Sequence, residues 1–278
     1  MSDSLAKAEA AVRAGDPAAA LPLLTAAVKA SPADAKLRIF LAQLLCVLGQ
    51  WERAHTQLNV CADLDALAIP MREMSGHGVR CELMRAAVFK GKRSPMVFGQ
   101  PDQWQAVLIE SLMQAGAGNV EQAQNLSARA FDAAPPTAGT IDGEAFEWIA
   151  DADSRLGPVL EAYVNGRYYW VPFSRLRRIA LEAPQDLRDC VWTVAHLAFE
   201  NGGETVAMVP TRYVGSEASG DGLIQLSRKT EWRDGGGDRW FGLGQRVLST
   251  NLGDHDLMSV RLIELQPASP PQDPAEAA

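Results

Sequence analysis

The chain has 278 residues, of which 47% are apolar and 22% are charged, and its formal net charge is −8. This mixture is typical of a globular protein and excludes a disordered or collagen-like chain. The acidic balance argues against nucleic acid as a partner, because binding to a phosphate backbone depends on clustered Lys and Arg. The length exceeds that of the usual single domain and indicates two domains or one large one.

Charge and aromatic residues are unevenly distributed along the chain. Residues 1–134 carry 13 basic and 13 acidic side chains, so the whole excess of negative charge lies in residues 135–278. The second half also contains five of the seven tryptophans and all four tyrosines. The two halves therefore differ in the kind of core that they can build.

The cysteines and the apolar segments indicate in which cellular compartment the protein is found and whether it binds a metal. The chain has no CxxC pair, which favours reduced thiols over a disulfide framework or a zinc site; its cysteines are Cys46, Cys61, Cys81 and Cys190. The first twenty residues do not have the pattern of a secretory signal, and the most apolar run is far shorter than the ~20 residues of a membrane span. We therefore expect a cytoplasmic protein with no metal, no cofactor and no membrane partner.

A 34-residue repeat runs through the first half. GDPAAALPLLTAAVKASP matches GQWERAHTQLNVCADLDA thirty-four places later, and AGNVEQAQNLSARAFDAAP is a weaker third copy. This is the period of the tetratricopeptide repeat (TPR), in which each copy is a helical hairpin. Gly15 and Gly49 would end the first helix of a hairpin, and the small residues Ala20 and Ala54 would let its two helices approach closely.

Residues 69–103 interrupt this period. Within them, PMREMSGHGVRCELMRAAVFKG predicts a further helix that ends near Gly91, and KRSPMVFGQPDQW predicts a structured loop. A turn-rich joint, PPTAGTIDG, follows at residues 135–143. We therefore predict a TPR-like α-domain over residues 1–137.

Beyond the joint the pattern becomes strand-like. EAYVNGRYYWVPF places Asn165–Gly166 between two aromatic runs, which is a strong signal for a β-hairpin, and CVWTVAHLAFENGGETVAMVP predicts a second hairpin. Short strands at this spacing predict a small, mostly β domain, an SH3-like barrel or a sandwich, over residues 144–265. The remaining residues, 266–278, are rich in Pro and Ala and predict a disordered tail. The expected fold class is thus α+β with two domains.

One acidic cluster could carry chemistry. Asp151 and Asp153 alternate along a predicted strand, and two carboxylates on one face could bind a metal or perform acid–base catalysis. The alternative is that they form ion pairs with Arg155, Arg167 or Arg175. Because the sequence contains neither GxSxG nor HExxH, an enzyme centred on these two aspartates is only the rival interpretation.

Several strings together resemble a known family. They are LRIFLAQLLCVLGQWERAHTQLNV, RCELMRAAVFKGKRSPMVFGQP, FEWIADADSRLGPVLEAYVNGRYYWVPFSRLRRI, VPTRYVGSEAS and LSRKTEWR. They are similar to the ImpE family, also called TagJ or SciE, which are accessory proteins of bacterial type VI secretion systems. The likeness runs from about residue 5 to about residue 265.

The resemblance implies a non-enzymatic cytoplasmic protein that works through protein–protein interaction. In that family the partner is an N-terminal helical segment of the small subunit of the contractile sheath, with a suspected link to the ClpV ATPase. No catalytic residues are carried over. A TPR scaffold for an unrelated assembly stays open as a further alternative.

The repeat also predicts where a partner would bind. Stacked hairpins form a concave face lined by the first helix of each copy, and such faces take helices or extended peptides. The candidate groove residues are Ile39, Gln43, Cys46, Val47, Leu108 and Leu112. The alternative is that these side chains are buried by residues 69–103 or by the β half.

Overall fold

The computed structural model describes residues 3–266, so the predicted tail lies outside the described residues from position 267 onward. Seven α-helices occupy the first half of this part of the chain: α1 Asp3–Arg13, α2 Pro17–Ala30, α3 Ala35–Val47, α4 Trp51–Leu64, α5 Ile69–Phe89, α6 Gln103–Gly116 and α7 Val120–Ala133. α1 packs on α2, α3 on α4 and α6 on α7. The predicted series of TPR-like hairpins is confirmed.

The turns within the hairpins have the backbone that the repeat requires. Gly15 and Gly49 follow α1 and α3 with φ angles of 87° and 66°, a left-handed conformation that a side chain would strain. Ala20 and Ala54 are completely buried between paired helices. A larger residue at either position would force the two helices apart.

α5 fills most of the interruption between the second and third hairpins. It packs against α4 on one side and α6 on the other, and it also contacts the β half. The loop after it forms strand β1, Met96–Val97, which pairs with the sheet of the second half. The inserted segment therefore joins the helices to the sheet.

The second half is mostly strand. Its strands are β2 Gly139–Ile141, β3 Glu144–Phe146, β4 Ile149–Asp151, β5 Val159–Val164, β6 Arg167–Pro172, β7 Leu176–Leu181, β8 Trp192–Phe199, β9 Glu204–Pro210, β10 Thr230–Asp234, β11 Trp240–Gly244, β12 Val247–Thr250, β13 Gly253–Asp256 and β14 Leu262–Leu265. A short helix, α8, spans Gly222–Gln225. The predicted turn at Asn165–Gly166 joins β5 to β6, with positive φ at both residues.

These strands form three sheets in the described residues. The largest has nine strands in the order β1-β6-β5-β9-β8-β7-β14-β2-β3, a second pairs β10 with β11, and the third has the order β13-β12-β4. Because β1 and β3 lie at opposite edges, the large sheet is open and is not the closed SH3-like barrel that was one of the expected forms. The order of helical hairpins followed by a mostly β region is as predicted.

Helices and sheet share a hydrophobic core. One cluster of buried residues contains Leu44 and Leu45 of α3 together with Tyr163, Trp170 and Trp192 of the large sheet. A second cluster lies within the β half. The boundary at residues 135–143 marks a change of secondary structure, and the division into domains at residues 1–137 and 144–265 stays a prediction. Because the two parts share a core, we expect them to unfold together.

Candidate functional site

The structure separates the six predicted groove residues into two groups. Cys46, Val47, Leu108 and Leu112 are at most 5% exposed and belong to the shared core, so they line no open groove. The physical reason is that other elements pack on the first helices: α6 contacts α5 of the inserted segment, and α3 contacts residues 187–190 of the β half. At the end of α3, the guanidinium of Arg212 donates to the carbonyl oxygens of Cys46 and Val47, at 3.0 and 2.7 Å.

Ile39 and Gln43 are half-buried and line an open groove of about 830 Å³ between α1 and α3. Its apolar lining residues are Leu5, Val12, Leu37, Ile39, Phe40 and Leu187. Its charged lining residues are Glu9, Arg13, Lys36, Asp186 and Arg228. We call this feature the α1/α3 groove.

One face of α3 forms a wall of the α1/α3 groove. Lys36, Ile39, Phe40 and Gln43 are spaced so that their side chains share one side of the helix. The first turn is fixed by the Asp34 carboxylate, which accepts the backbone N–H groups of Lys36 at 2.9 Å and Leu37 at 3.2 Å. The groove side of α3 is thus preformed.

The opposite wall comes from the β half, and sequence reasoning missed it. A short 3-10 helix, Leu187–Cys190, places Leu187 at the groove. It begins with a capping box between Asp186 and Asp189, in which each carboxylate accepts the backbone N–H of the other residue, that of Asp186 at 2.9 Å. The Asp186 carboxylate also accepts the N–H of Arg188 at 2.9 Å. The spacing of Asp186 and Asp189 could have predicted the turn. It could not have predicted that the turn lies against α3.

Arg228 of the β half is hydrogen-bonded to α1, the second helix that lines the groove. Its guanidinium donates to the carbonyl oxygens of Val12 and Arg13, at 3.1 and 2.9 Å, where α1 ends. A cation at the carboxyl end of a helix is favourable, because the last carbonyl groups carry partial negative charge. The groove is therefore bounded by elements that are hydrogen-bonded to one another.

Asp151 and Asp153, the acidic cluster on which the enzyme interpretation depends, are buried and each is paired with an arginine. Asp153 accepts the Nε of Arg155 at 2.8 Å and the N–H of Gly242 at 2.8 Å. Asp151 is paired with Arg246, and neither member of this pair has exposed side-chain surface. Burial raises the pKa of Asp151 to about 6, although the Arg246 guanidinium opposes part of that rise. A substrate has no access to these carboxylates in this structure.

A second buried ionic group lies between α5 and the sheet. Arg85 donates to both carboxylate oxygens of Glu161, at 2.7 and 2.8 Å, and Arg246 lies 3.3 Å from the same carboxylate. Burial alone would raise the pKa of Glu161, but the two guanidinium groups lower it below its usual value. Glu82 of α5 accepts the hydroxyl of Tyr163 at 2.8 Å. Together these contacts fix the position of α5 on the sheet.

The comparisons with known proteins agree with this architecture. The family model described as ImpE protein matches residues 143–264, and the tetratricopeptide repeat model matches residues 11–66. A protein of Pseudomonas aeruginosa named type VI secretion system accessory component TagJ is 47% identical over 260 residues, covering 94% of this chain and 91% of the relative. The chain belongs to the ImpE/TagJ family. The predicted family resemblance is therefore confirmed.

The fold of this ImpE/TagJ chain has also been solved in a distant protein. An X-ray crystal structure of a Vibrio parahaemolyticus protein has a TM-score of 0.86 to it, covering 97% of this chain and 99% of the other at 23% identity. Within residues 3–266, no helix is long and apolar enough to cross a membrane. In the same residues, no group of three or more His, Cys, Asp or Glu side chains could hold a metal ion.

Proposed function

We propose that this protein is a cytoplasmic, non-enzymatic accessory component of a type VI secretion system. In this proposal it binds the N-terminal helical segment of the small contractile-sheath subunit in the α1/α3 groove. Membership of the ImpE/TagJ family supports the secretion role, because a relative that is 47% identical bears that name. The burial of Asp151 and Asp153 supports a role without catalysis.

The observation that carries the binding mode is the shape and chemistry of the α1/α3 groove. An amphipathic helix binds in a groove by placing apolar residues of one face against an apolar floor and its polar residues at the rim. The lining combines apolar side chains, among them Ile39 and Phe40, with charged ones such as Lys36 and Asp186. Both walls are fixed before binding, so little ordering of the groove opposes association.

A single substitution in the apolar lining of the groove tests the proposal. Ile39→Asp removes an apolar anchor and places a charge in the groove, and a buried anchor typically contributes ~1–3 kcal/mol. We expect the dissociation constant for a synthetic peptide of the sheath subunit's N-terminal helix to rise at least ~10-fold, measured by isothermal titration calorimetry. Leu83→Asp on α5 is the matched control, since Leu83 is 56% exposed and lies outside the groove.

A loss of peptide binding supports the proposed site only if the variant is folded. Ile39→Asp must keep the helical circular dichroism and the melting temperature of the parent. A folded Ile39→Asp variant that binds the peptide as tightly as the parent would refute the α1/α3 groove as the binding site. Equal loss of binding in the Leu83→Asp variant would refute it as well.

The proposed link to the ClpV ATPase is tested in the native bacterium. A tagged copy of this protein should co-purify the sheath subunits, and ClpV should follow only when the sheath is present. Ile39→Asp should lose both together, because in this proposal the sheath segment mediates the link. Recovery of ClpV by Ile39→Asp without sheath subunits would contradict this order of contacts.

A further inference from the structure

The two-stranded ribbon of β10 and β11 has an inner strand and an outer strand. β11 is the inner one: the N–H of Trp240 donates to Ser154 Oγ at 3.0 Å, and the N–H of Gly242 donates to Asp153 Oδ2 at 2.8 Å. β10 pairs with β11 over all five of its residues. Among residues 3–266 no other strand pairs with β10, so its outer side is a free strand edge.

This edge is fixed and open to solvent. The ring of Trp232 packs on that of Tyr213, with 5.7 Å between centroids, yet Trp232 remains 37% exposed. Glu231, Arg233 and Asp234 are also exposed. An exposed edge strand is a ready template for another strand, and a fixed edge needs little ordering when it pairs.

The charges of β10 complement a second copy of the same strand. Consider two antiparallel copies related by a two-fold axis at Trp232. Glu231 of each copy then lies opposite Arg233 of the other, which gives two cross-strand pairs of opposite charge and pairs all five residues. Moving the axis by one residue would instead place Glu231 opposite Glu231, or Arg233 opposite Arg233. The charge pattern therefore favours one register.

We propose that β10 is the interface of a two-fold symmetric dimer of this chain, in which two ribbons join into a four-stranded antiparallel sheet. The interface is self-complementary, as a two-fold contact requires. A five-residue strand supplies only part of the about 1,200 Å² that a standard stable interface buries, so the dimer is reversible and depends on concentration. The proposal is independent of the α1/α3 groove.

Charge reversal tests both the interface and its register. Sedimentation equilibrium of the full chain across the micromolar range should show a monomer–dimer equilibrium. Glu231→Arg and Arg233→Glu each place like charges opposite one another twice, and each should raise the dimer dissociation constant at least ~10-fold. An equimolar mixture of the two variants restores both opposite-charge pairs, and it should associate within ~3-fold of the parent.

Glu144→Arg is the matched control, because it reverses an exposed charge on β3, the far edge of the large sheet. It should leave the equilibrium unchanged. A parent protein that stays monomeric over the whole range overturns the proposal. So does a mixture that associates no better than either variant alone, or an equal loss in Glu144→Arg. Peptide binding in the groove is measured on the same samples, and its failure would affect only the proposed function.

Discussion

Replacing Arg85 with methionine tests whether helices and sheet form one folding unit. Arg85 lies on α5 and is 1% exposed. Its guanidinium donates two hydrogen bonds to Glu161 of β5 and a third, of 3.0 Å, to the carbonyl oxygen of Arg212. Arg85→Met keeps the apolar stem of the side chain but removes the charge and all three donors.

The expected loss of stability follows from the Glu161 carboxylate, which stays buried after Arg85 is replaced. Removing one partner of a buried ion pair destabilises a protein by about 3–5 kcal/mol, because the other charge stays buried. Glu161 keeps Arg246 at 3.3 Å and accepts the hydroxyl of Tyr168 at 2.5 Å, so we expect the lower end of that range. Combining Arg85→Met with Glu161→Gln removes both charges, and the double variant should be about 2 kcal/mol more stable than additivity predicts.

Urea unfolding measures this prediction with two probes. Circular dichroism reports mainly on the helices, and tryptophan fluorescence reports mainly on the β half, which holds five of the seven tryptophans. Because Arg85 joins the two halves, both transitions should shift together. Arg80→Met is the control, since Arg80 is exposed on the same helix. A loss below about 1 kcal/mol, or two transitions that separate, would refute the reasoning from the buried pair.

Three further predictions concern the core, the pH dependence and the groove. A Cβ at Gly78 would lie 2.9 Å from the ring of Trp192, so Gly78→Ala should destabilise by about 1–3 kcal/mol in thermal unfolding. The pKa of Asp151 in the folded state is about 6, above its unfolded value, so its stabilising contribution is full below about pH 4 and is lost as the pH rises through about 6. Relative to Asp151→Asn, the parent should therefore lose stability over that window, which urea titrations at several pH values would detect. Asp34→Ala removes the cap of α3 and should lower the unfolding free energy by about 0.5–2 kcal/mol, with weaker peptide binding measured by calorimetry.

The local elements could be predicted because their signals lie within a few residues of one another. The glycine and alanine spacing of the repeat predicts the hairpins, and Asn165–Gly166 predicts the turn between β5 and β6. Such patterns depend on backbone conformation and on contacts between neighbouring helices. They carry over from sequence to structure without knowledge of the rest of the chain.

A repeat pattern shows which side of a helix faces inward but not what covers it, so the sequence did not distinguish the buried residues among the predicted groove positions from the half-buried Ile39 and Gln43. Binding of a partner at these two residues stays a prediction. Cys46 and Leu108 follow the repeat correctly and are nevertheless buried in the core that the helices share with the sheet. At Cys46 a partner is distant in sequence: Arg212 reaches its carbonyl oxygen across 166 positions. No local pattern of charge or hydrophobicity shows such a contact.

The position of α5 limits how this architecture can vary. In an ordinary repeat array each hairpin offers a free face to the next one, and binding surfaces lengthen when hairpins are duplicated. Here α5 lies between α4 and α6 and is held by the Glu161 carboxylate of the sheet. A hairpin inserted after α4 would have to displace that ion pair. Lengthening the array at this point is therefore restricted by the sheet, and we expect the proposed α1/α3 groove to vary among relatives through its side chains.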